Sequence, residues 1–436
     1  MVAQPEPLQT EVPSTLPALP RAFGKYLLFD RIGRGGMAEI FLARMTTELG
    51  GSRRVVVKEI LPELSSDPGF TRLLVTEAKL AARLSHRNIV RVLDLGREAG
   101  RLFIAMDYIE GYDLNQLLRQ LSRRRLPLPA EFALFVVREV LAALDYAHRA
   151  GDGTGAPLAV VHRDVSPSNV LVSFEGEVSL CDFGIARALR AEPENPDLAS
   201  QTSDPDESRI QRVRVAGKSA YMAPEHARGE EVDARSDVFA AGILLWELCA
   251  GRRLYKGTEQ EMMEMARRGA VQPLPERGLP GLEQLQLILD RALTADPALR
   301  YQSAAKMLED LDNYAMGAQL MASQLRFSTF LTENFADDIV ALRRARERAA
   351  EAAQLRAPVE VTEPEPVTAA SEPPPVGSPR LRNTRSSDSP LPVAFPSPDA
   401  ANAARPASVG QARRWGLPLA GALLLAAAAL GWALFS

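Results

Sequence analysis

Cysteine is nearly absent from this 436-residue chain: there are two, Cys181 and Cys249. Both sit in apolar runs, so they build neither a disulfide framework nor a metal-ligand spacing. Net charge is equally slight. Lys+Arg total 51 against 55 Asp+Glu, a formal charge of −4, which leaves no basic footprint for nucleic acid. The chain has no internal repeat. Its first twenty residues lack the basic start and apolar run of a secretory signal; five prolines there instead predict a mobile, extended lead-in over residues 1–23. Large apolar residues become scarce from about Ala357 to Gly410, where Pro, Ser, Ala and Glu dominate. Such a stretch cannot bury enough surface to offset its ordering entropy, so residues 356–412 read as a disordered linker, with a reach of roughly 40 Å as a flexible coil.

Beyond the linker the composition changes again. "RRWGLPLAGALLLAAAALGWALFS" carries no charge after Arg414. The run from Trp415 to Phe435 has the length of a bilayer-crossing helix, with Trp415 and Trp432 near its ends and Arg413 and Arg414 before it. These flanks predict a C-terminal membrane anchor over residues 413–436, its N-terminal side cytoplasmic. The competing reading is an apolar tail that packs on the protein or on a partner.

Upstream, "YLLFDRIGRGGMAEIFLARM" reads as strand, glycine turn, strand. Gly33, Gly35 and Gly36 let backbone approach a phosphate with no Cβ in the way, although many plain hairpins also turn on glycine. "RRVVVKEI" comes next as a β-branched strand carrying Lys58. In "FTRLLVTEAKLAARLSH" the apolar positions Phe70, Leu73, Leu74, Leu80, Ala81 and Leu84 recur at helical spacing, with Glu77 inside the stripe. A carboxylate on an inward face needs a cation, and Lys58 is the natural candidate. Otherwise Glu77 belongs to an exposed helix face.

Further on, "HRDVSPSNVLVSFEGEVSLCDFG" holds two short strands with Glu175 and Gly176 at the turn. A pairing centred between those two residues sets Asn169 opposite Asp182. An amide oxygen and a carboxylate on one rigid frame suit Mg²⁺, which takes hard oxygen ligands.

Together these motifs resemble bacterial eukaryotic-like (Hanks-type) serine/threonine protein kinases. Glycine loop, strand lysine, helix glutamate, His162-Arg163-Asp164, Asp182-Phe183-Gly184, Ala223-Pro224-Glu225, Asp237 and Arg300 occur in the family's order over about Tyr26 to Tyr314. The resemblance implies an α+β, bilobal protein-kinase fold over residues 24–314, with a small β-rich N-lobe and a larger helical C-lobe. It implies ATP with Mg²⁺ (Mn²⁺ possible) and protein substrates phosphorylated on Ser or Thr. Nucleotide contacts are then expected from the loop running Ile32, Gly33, Arg34, Gly35, Gly36, Met37, Ala38, Glu39, Ile40, and from Lys58, Met106, Asp107, Tyr108 and Leu171. Lys58 and Glu77 would pair, Asp164 would act as base, and Asn169 and Asp182 would hold the metal. His162 is expected to be packed rather than catalytic. Asp237 would brace the catalytic loop, Arg300 would meet Glu225, and Arg163 would receive a phosphate on the activation segment, where Thr202, Ser203 and Ser208 are the candidate sites.

Two positions depart from the family pattern. Ala38 stands for the third glycine, and Ser166 stands where many serine/threonine kinases carry a lysine that touches the transferred phosphate. Lys218, in "GKSAYMAPE", is the candidate replacement cation; the opposing reading leaves Lys218 exposed and Ser166 merely tolerated. Two other functions compete with an active kinase: a nucleotide-binding pseudokinase scaffold and a small-molecule phosphotransferase. An anchored kinase implies a homodimer that phosphorylates in trans within the membrane plane. Residues 315–355 read as a helical extension that docks on the kinase or on a partner.

Overall fold

The computed structural model describes residues 19–46, 51–152, 154–183 and 219–356. The activation-segment residues 184–218, with Lys218, Thr202, Ser203 and Ser208, lie outside the described residues, as do most of the N-terminal lead-in, the linker and the apolar tail.

Six antiparallel strands form the N-terminal sheet: β1 (Arg21–Phe23), β2 (Tyr26–Arg34), β3 (Ala38–Thr46), β4 (Ser52–Ile60), β5 (Val92–Glu98) and β6 (Arg101–Asp107). Their spatial order is β1-β2-β3-β4-β6-β5. The period-2 alternation of a strand sorts the side chains. Val55 and Val57 join Phe41, Phe103 and Ala105 on one face. Val56 packs with Ile104 and Met106 on the other, and Lys58 shares that second face, directly opposite Ile40 and Ile104. Glu59 therefore points away from Lys58 and is held by Arg21 and Arg101 instead.

On the Lys58 face lies α2 (Pro68–Ala81), preceded by the single turn α1 (Pro62–Ser65). Asp67 caps α2 by accepting from the N–H groups of Gly69 and Phe70 at 2.8 and 3.1 Å, and Pro68 occupies the first position, where its missing N–H costs nothing. Phe70, Leu74, Glu77, Ala78 and Ala81 are its buried residues, so the helical stripe in the sequence is the packed face and Glu77 lies in it.

The C-lobe is helical. After β7 (Gly111–Asp113) come α3 (Leu114–Arg123) and α4 (Ala130–His148), then the hairpin β8 (Val170–Ser173) and β9 (Val178–Leu180). Past the activation segment come α5 (Pro224–Arg228), α6 (Ala234–Ala250), α7 (Glu259–Arg268), α8 (Leu282–Ala292), α9 (Ala304–Gly317) and α10 (Gln324–Arg356). Every residue of α6 from Ser236 to Ala250 is buried, as its nearly uniform apolar sequence requires.

One ion pair ties α5 to the lobe. Arg300 donates to both oxygens of Glu225, at 2.8 and 3.0 Å, and Ser236 donates to the same carboxylate. Both side chains are buried. Removing the guanidinium strands a buried carboxylate, so Arg300→Ala is expected to cost about 3–5 kcal/mol. A fall in the urea midpoint with an unchanged denaturant slope checks this; an unshifted midpoint contradicts it.

Candidate functional site

A cavity of about 210 Å³ opens between the lobes, lined by residues from β2, β3, β4, the segment after β6, β8 and α10. Of the nucleotide contacts expected from sequence, Ile32, Ile40, Lys58, Met106, Asp107, Tyr108 and Leu171 line it. Met106 also borders a smaller space behind, walled by Ala78, Ile104 and Phe183.

The glycine loop itself does not wall the cavity. Gly35 donates to the Ala38 carbonyl at 2.9 Å, closing the β2–β3 turn. Ala38 is buried, Met37 packs with the α2 cluster, and the buried Glu39 faces Arg31 and Arg34 on the hairpin. Gly33, Arg34, Gly35, Gly36, Met37, Ala38 and Glu39 thus build the turn rather than line the cavity. A Cβ added at Gly33 or Gly35 would meet nothing closer than 3.5 Å. The protein's own packing does not demand glycine there, so the bare backbone is left for a group approaching from the cleft.

Lys58 meets a different carboxylate from the expected one. Its Nζ donates to Asp182 Oδ2 at 2.9 Å. Glu77 is buried on the inward face of α2 but is not the group that Lys58 meets. Asp182 turns its carboxylate to that ammonium from a sharp bend in the chain, where φ is 64°.

The hairpin register also differs from the expected one. Val170 pairs with Leu180, Leu171 with Ser179 and Val172 with Val178. Asn169 therefore lies opposite Cys181, whose N–H reaches the Asn169 carbonyl at 2.9 Å. The cause is loop length. Phe174 joins Glu175 and Gly176 in a three-residue loop, with Gly176 at φ 79° and the Ser173 N–H donating to the Glu177 carbonyl at 2.9 Å. An odd loop with a left-handed last residue shifts the partners by one. Asp182 leaves the ladder one residue later and turns its carboxylate toward Lys58.

The catalytic-loop segment is pinned from beneath by Asp237. Its Oδ1 accepts from the Arg163 N–H at 2.7 Å, and its Oδ2 accepts from the His162 N–H at 2.7 Å and from His148 Nε2 at 2.8 Å. Burial alone would raise the Asp237 carboxyl, but the His148 hydrogen bond and the loop N–H groups hold it below the usual carboxylate range. Arg163 sits at φ 65°, a conformation those two backbone bonds compensate. His162 is fully buried. Its Nε2 donates to the Cys181 carbonyl at 2.9 Å, its Nδ1 accepts from the Asp164 N–H at 3.2 Å, and its ring packs edge-on against Phe183. Both ring nitrogens serve the loop, so His162 is structural.

Asn169 Nδ2 donates to the Asp164 carbonyl at 2.8 Å and to its Oδ2 at 2.7 Å. The planar amide then turns its oxygen the other way. Asp182 keeps one oxygen on Lys58 and lines the cavity. These hard donors fit Mg²⁺, which takes one or two protein oxygens and completes its shell with water and phosphate. At the position lacking a lysine, Ser166 is buried and its hydroxyl bonds Ser168 at 3.0 Å. Cys181 lines the same cavity, yet burial and the adjacent Asp182 push its thiol well up, so it is not a nucleophile.

Sequence reading missed Val56, Ile109, Tyr112, Asp113, Gln116, Ser168 and Arg346 in the cavity wall. Strand alternation with Lys58 would have found Val56. Nothing near Arg346 in the sequence marks it.

Residues 26–311 match the protein kinase domain family. This chain belongs to that family. It is 36% identical over 340 residues to a tyrosine-protein kinase of Myxococcus xanthus, MasK, covering 76% of this chain and 50% of that protein. It is 34% identical over 298 residues to the serine/threonine-protein kinase PknB of Mycobacterium tuberculosis, covering 66% and 42%. The chain thus spans half or less of the length of these curated relatives. Among solved structures, the PknI kinase domain of M. tuberculosis aligns at 29% identity with a TM-score of 0.50, over 69% of this chain and all of that one.

Asp237 gives a test in two parts. Asp237→Asn keeps the shape but sets an amide donor against donors, and is expected to cost about 3 kcal/mol with faster exchange of the His162 and Arg163 amide protons. The folded carboxyl lies below its unfolded value, so its contribution is complete above about pH 4 and is lost as pH falls through the folded value. The variant should lack that acid-limb loss. Matching acid limbs in the two proteins would contradict the assignment.

Proposed function

We propose that the chain is a serine/threonine protein kinase that transfers the γ-phosphate of ATP to hydroxyl groups of cytoplasmic proteins. The observation that carries this is the convergence at one cleft of Lys58 bonded to Asp182 and Asn169 bonded to Asp164. Phosphoryl transfer rests on positioning and electrostatics, and these are the groups that supply both. The scaffold alternative loses support because none of them is missing.

The adenine seats between Val56 and Leu171 against Met106, its edge on the backbone of Asp107 and Tyr108. Lys58 presents its ammonium to the α- and β-phosphates. Asn169 and Asp182 would hold Mg²⁺, or Mn²⁺ in its place, which when bound neutralises and orients the phosphate oxygens. Asp164, fixed by Asn169, aligns the incoming hydroxyl and accepts its proton as the bond to phosphorus forms and the bond to the leaving ADP oxygen breaks. Ser166 supplies no cation to the transferred group, and Lys218 is the proposed source of that charge.

Incubation with labelled Mg-ATP is expected to phosphorylate the protein itself and a general acceptor on serine and threonine. Asp164→Asn should lose about 100-fold or more in rate, the scale of a lost general base. Label on tyrosine alone would overturn the serine/threonine assignment and favour the acceptor named for MasK. In the same assay Lys218→Met should cut turnover far more than ATP affinity; equal turnover would return Lys218 to a plain surface residue.

Among the described residues no helix is long and apolar enough to cross a membrane, and residues 413–436 lie outside them. The single-pass anchor, the cell-membrane location and the homodimer that phosphorylates in trans are proposals carried by the flanked apolar run. Deletion of residues 415–436 is expected to move the protein from the membrane to the soluble fraction and to slow autophosphorylation at low concentration. Unchanged fractionation would leave the apolar run as a packed tail.

A further inference from the structure

Helix α10 lies beyond the family match, which ends at residue 311, yet it contributes to the wall of the cleft. Its inward stripe runs Phe327, Leu331, Phe335, Ile339, Leu342, Arg346, Ala350, Ala353, at steps of three and four. The first part belongs to the C-lobe. Phe327 stacks on Phe132 at 5.0 Å, and Leu331, Phe335 and Ile339 are buried in the same cluster. The last part belongs to the N-lobe, where Ala350 and Ala353 pack with Phe29 and Leu42 of β2 and β3. At Phe335 the backbone leaves helical geometry, and that ring packs edge-on to Tyr112 under the guanidinium of Arg124. The helix therefore bends as it passes from one lobe to the other.

Between the two apolar parts it crosses the connecting segment after β6. Arg343 donates to Glu110 at 3.0 Å and to Glu175 at 2.8 Å. Arg346 donates to the Tyr108 hydroxyl and stacks on that ring, 5.2 Å from its centroid, and it lines the cavity beside Lys58, Met106 and Asp113. Its Nε is buried and has no hydrogen-bond partner among the described residues. A guanidinium in the middle of an apolar stripe, held against the Tyr108 ring and hydroxyl and lining the cavity, is preorganised for a ligand. The start of α10 also rests on the catalytic hairpin. A Cβ on Gly176 would come within 2.3 Å of the Gln324 carbonyl, so glycine is required there for the helix to seat.

We propose that α10 is a third wall of the nucleotide site and that Arg346 is a nucleotide-binding residue acting on the adenosine end. This rests on the kinase reading above. Lys58 stands at the phosphate end, while Tyr108 and Arg346 stand at the connecting segment, so the guanidinium meets base and ribose.

Affinities of the full chain for Mg-ATP, ADP and adenosine test this. Arg346→Ala is expected to weaken all three alike by roughly tenfold to a hundredfold, the scale of one lost hydrogen bond to a charged group. KM for ATP should rise by a similar factor, with turnover at saturating ATP within about twofold. Arg346→Lys should recover only part, lacking the planar fork. Hydrogen exchange over residues 324–356 should stay protected in Arg346→Ala. A loss confined to ATP and ADP would place the contact at the phosphates and overturn the assignment, as would unchanged affinities. Lost protection accompanying the weakened binding would assign the effect to the wall and overturn the role of Arg346 itself. A wild-type chain that binds none of the three ligands would overturn the kinase reading, and this inference with it.

Discussion

The buried carboxylate of Asp237 holds the site together. It is placed by α6, the most completely buried helix of the C-lobe, and it takes three donors at once: two backbone N–H groups of the catalytic loop and the ring of His148. A loop that must carry Asp164 at a fixed point cannot rely on its own short-range bonds, least of all with Arg163 in a left-handed conformation. The charge compensates that strain. From Arg163 the order passes outward: His162 ties the loop to Cys181, Cys181 ties to Asn169, and Asn169 ties back to Asp164. Each step is a hydrogen bond between buried groups, so breaking one strands its partner.

Much of this was legible in the sequence because each part carries a local signature. The apolar α6 announces its burial, the stripe through Glu77 announces its helix, and the family motifs set the order of Lys58, Asp164, Asn169, Asp182, Glu225 and Arg300. Three things were not legible, for physical reasons. The hairpin register turned on whether Phe174 belongs to a strand or to the loop, which is a matter of one residue and of backbone conformation rather than of residue type. The bond of Lys58 to Asp182 depends on where the chain bends after β9, and sequence contains no distances. The cavity role of Arg346 depends on a helix docking more than two hundred residues away from the strand it faces, where no spacing rule applies.

The charge pattern around the connecting segment makes sense only with that helix in place. Asp107 is met by Arg53 and Arg91, Glu110 by Arg54 and Arg343, and the guanidinium groups of Arg54 and Arg346 both lie against the Tyr108 ring. Individually such half-exposed pairs contribute little. Their number on Asp107, Tyr108 and Glu110, from the N-lobe and from α10, matters for geometry: each polar side chain of the segment joining the lobes is gripped.

A connection gripped in this way changes how the lobes are related. The lobes also meet behind the cleft, where Ala81, Leu84 and Ile89 are buried in the C-lobe cluster and Cys181 in the α2 cluster. The contact of Ala350 and Ala353 with Phe29 and Leu42 fastens a C-lobe helix to the N-lobe sheet. Opening the cleft then means either pulling those alanines from their seat or bending α10 further at Phe335. The buried apolar area there is small, since alanine offers little, so the fastening resists opening without forbidding it. A nucleotide entering between the lobes must displace no part of this strap, because the cavity already lies beneath it.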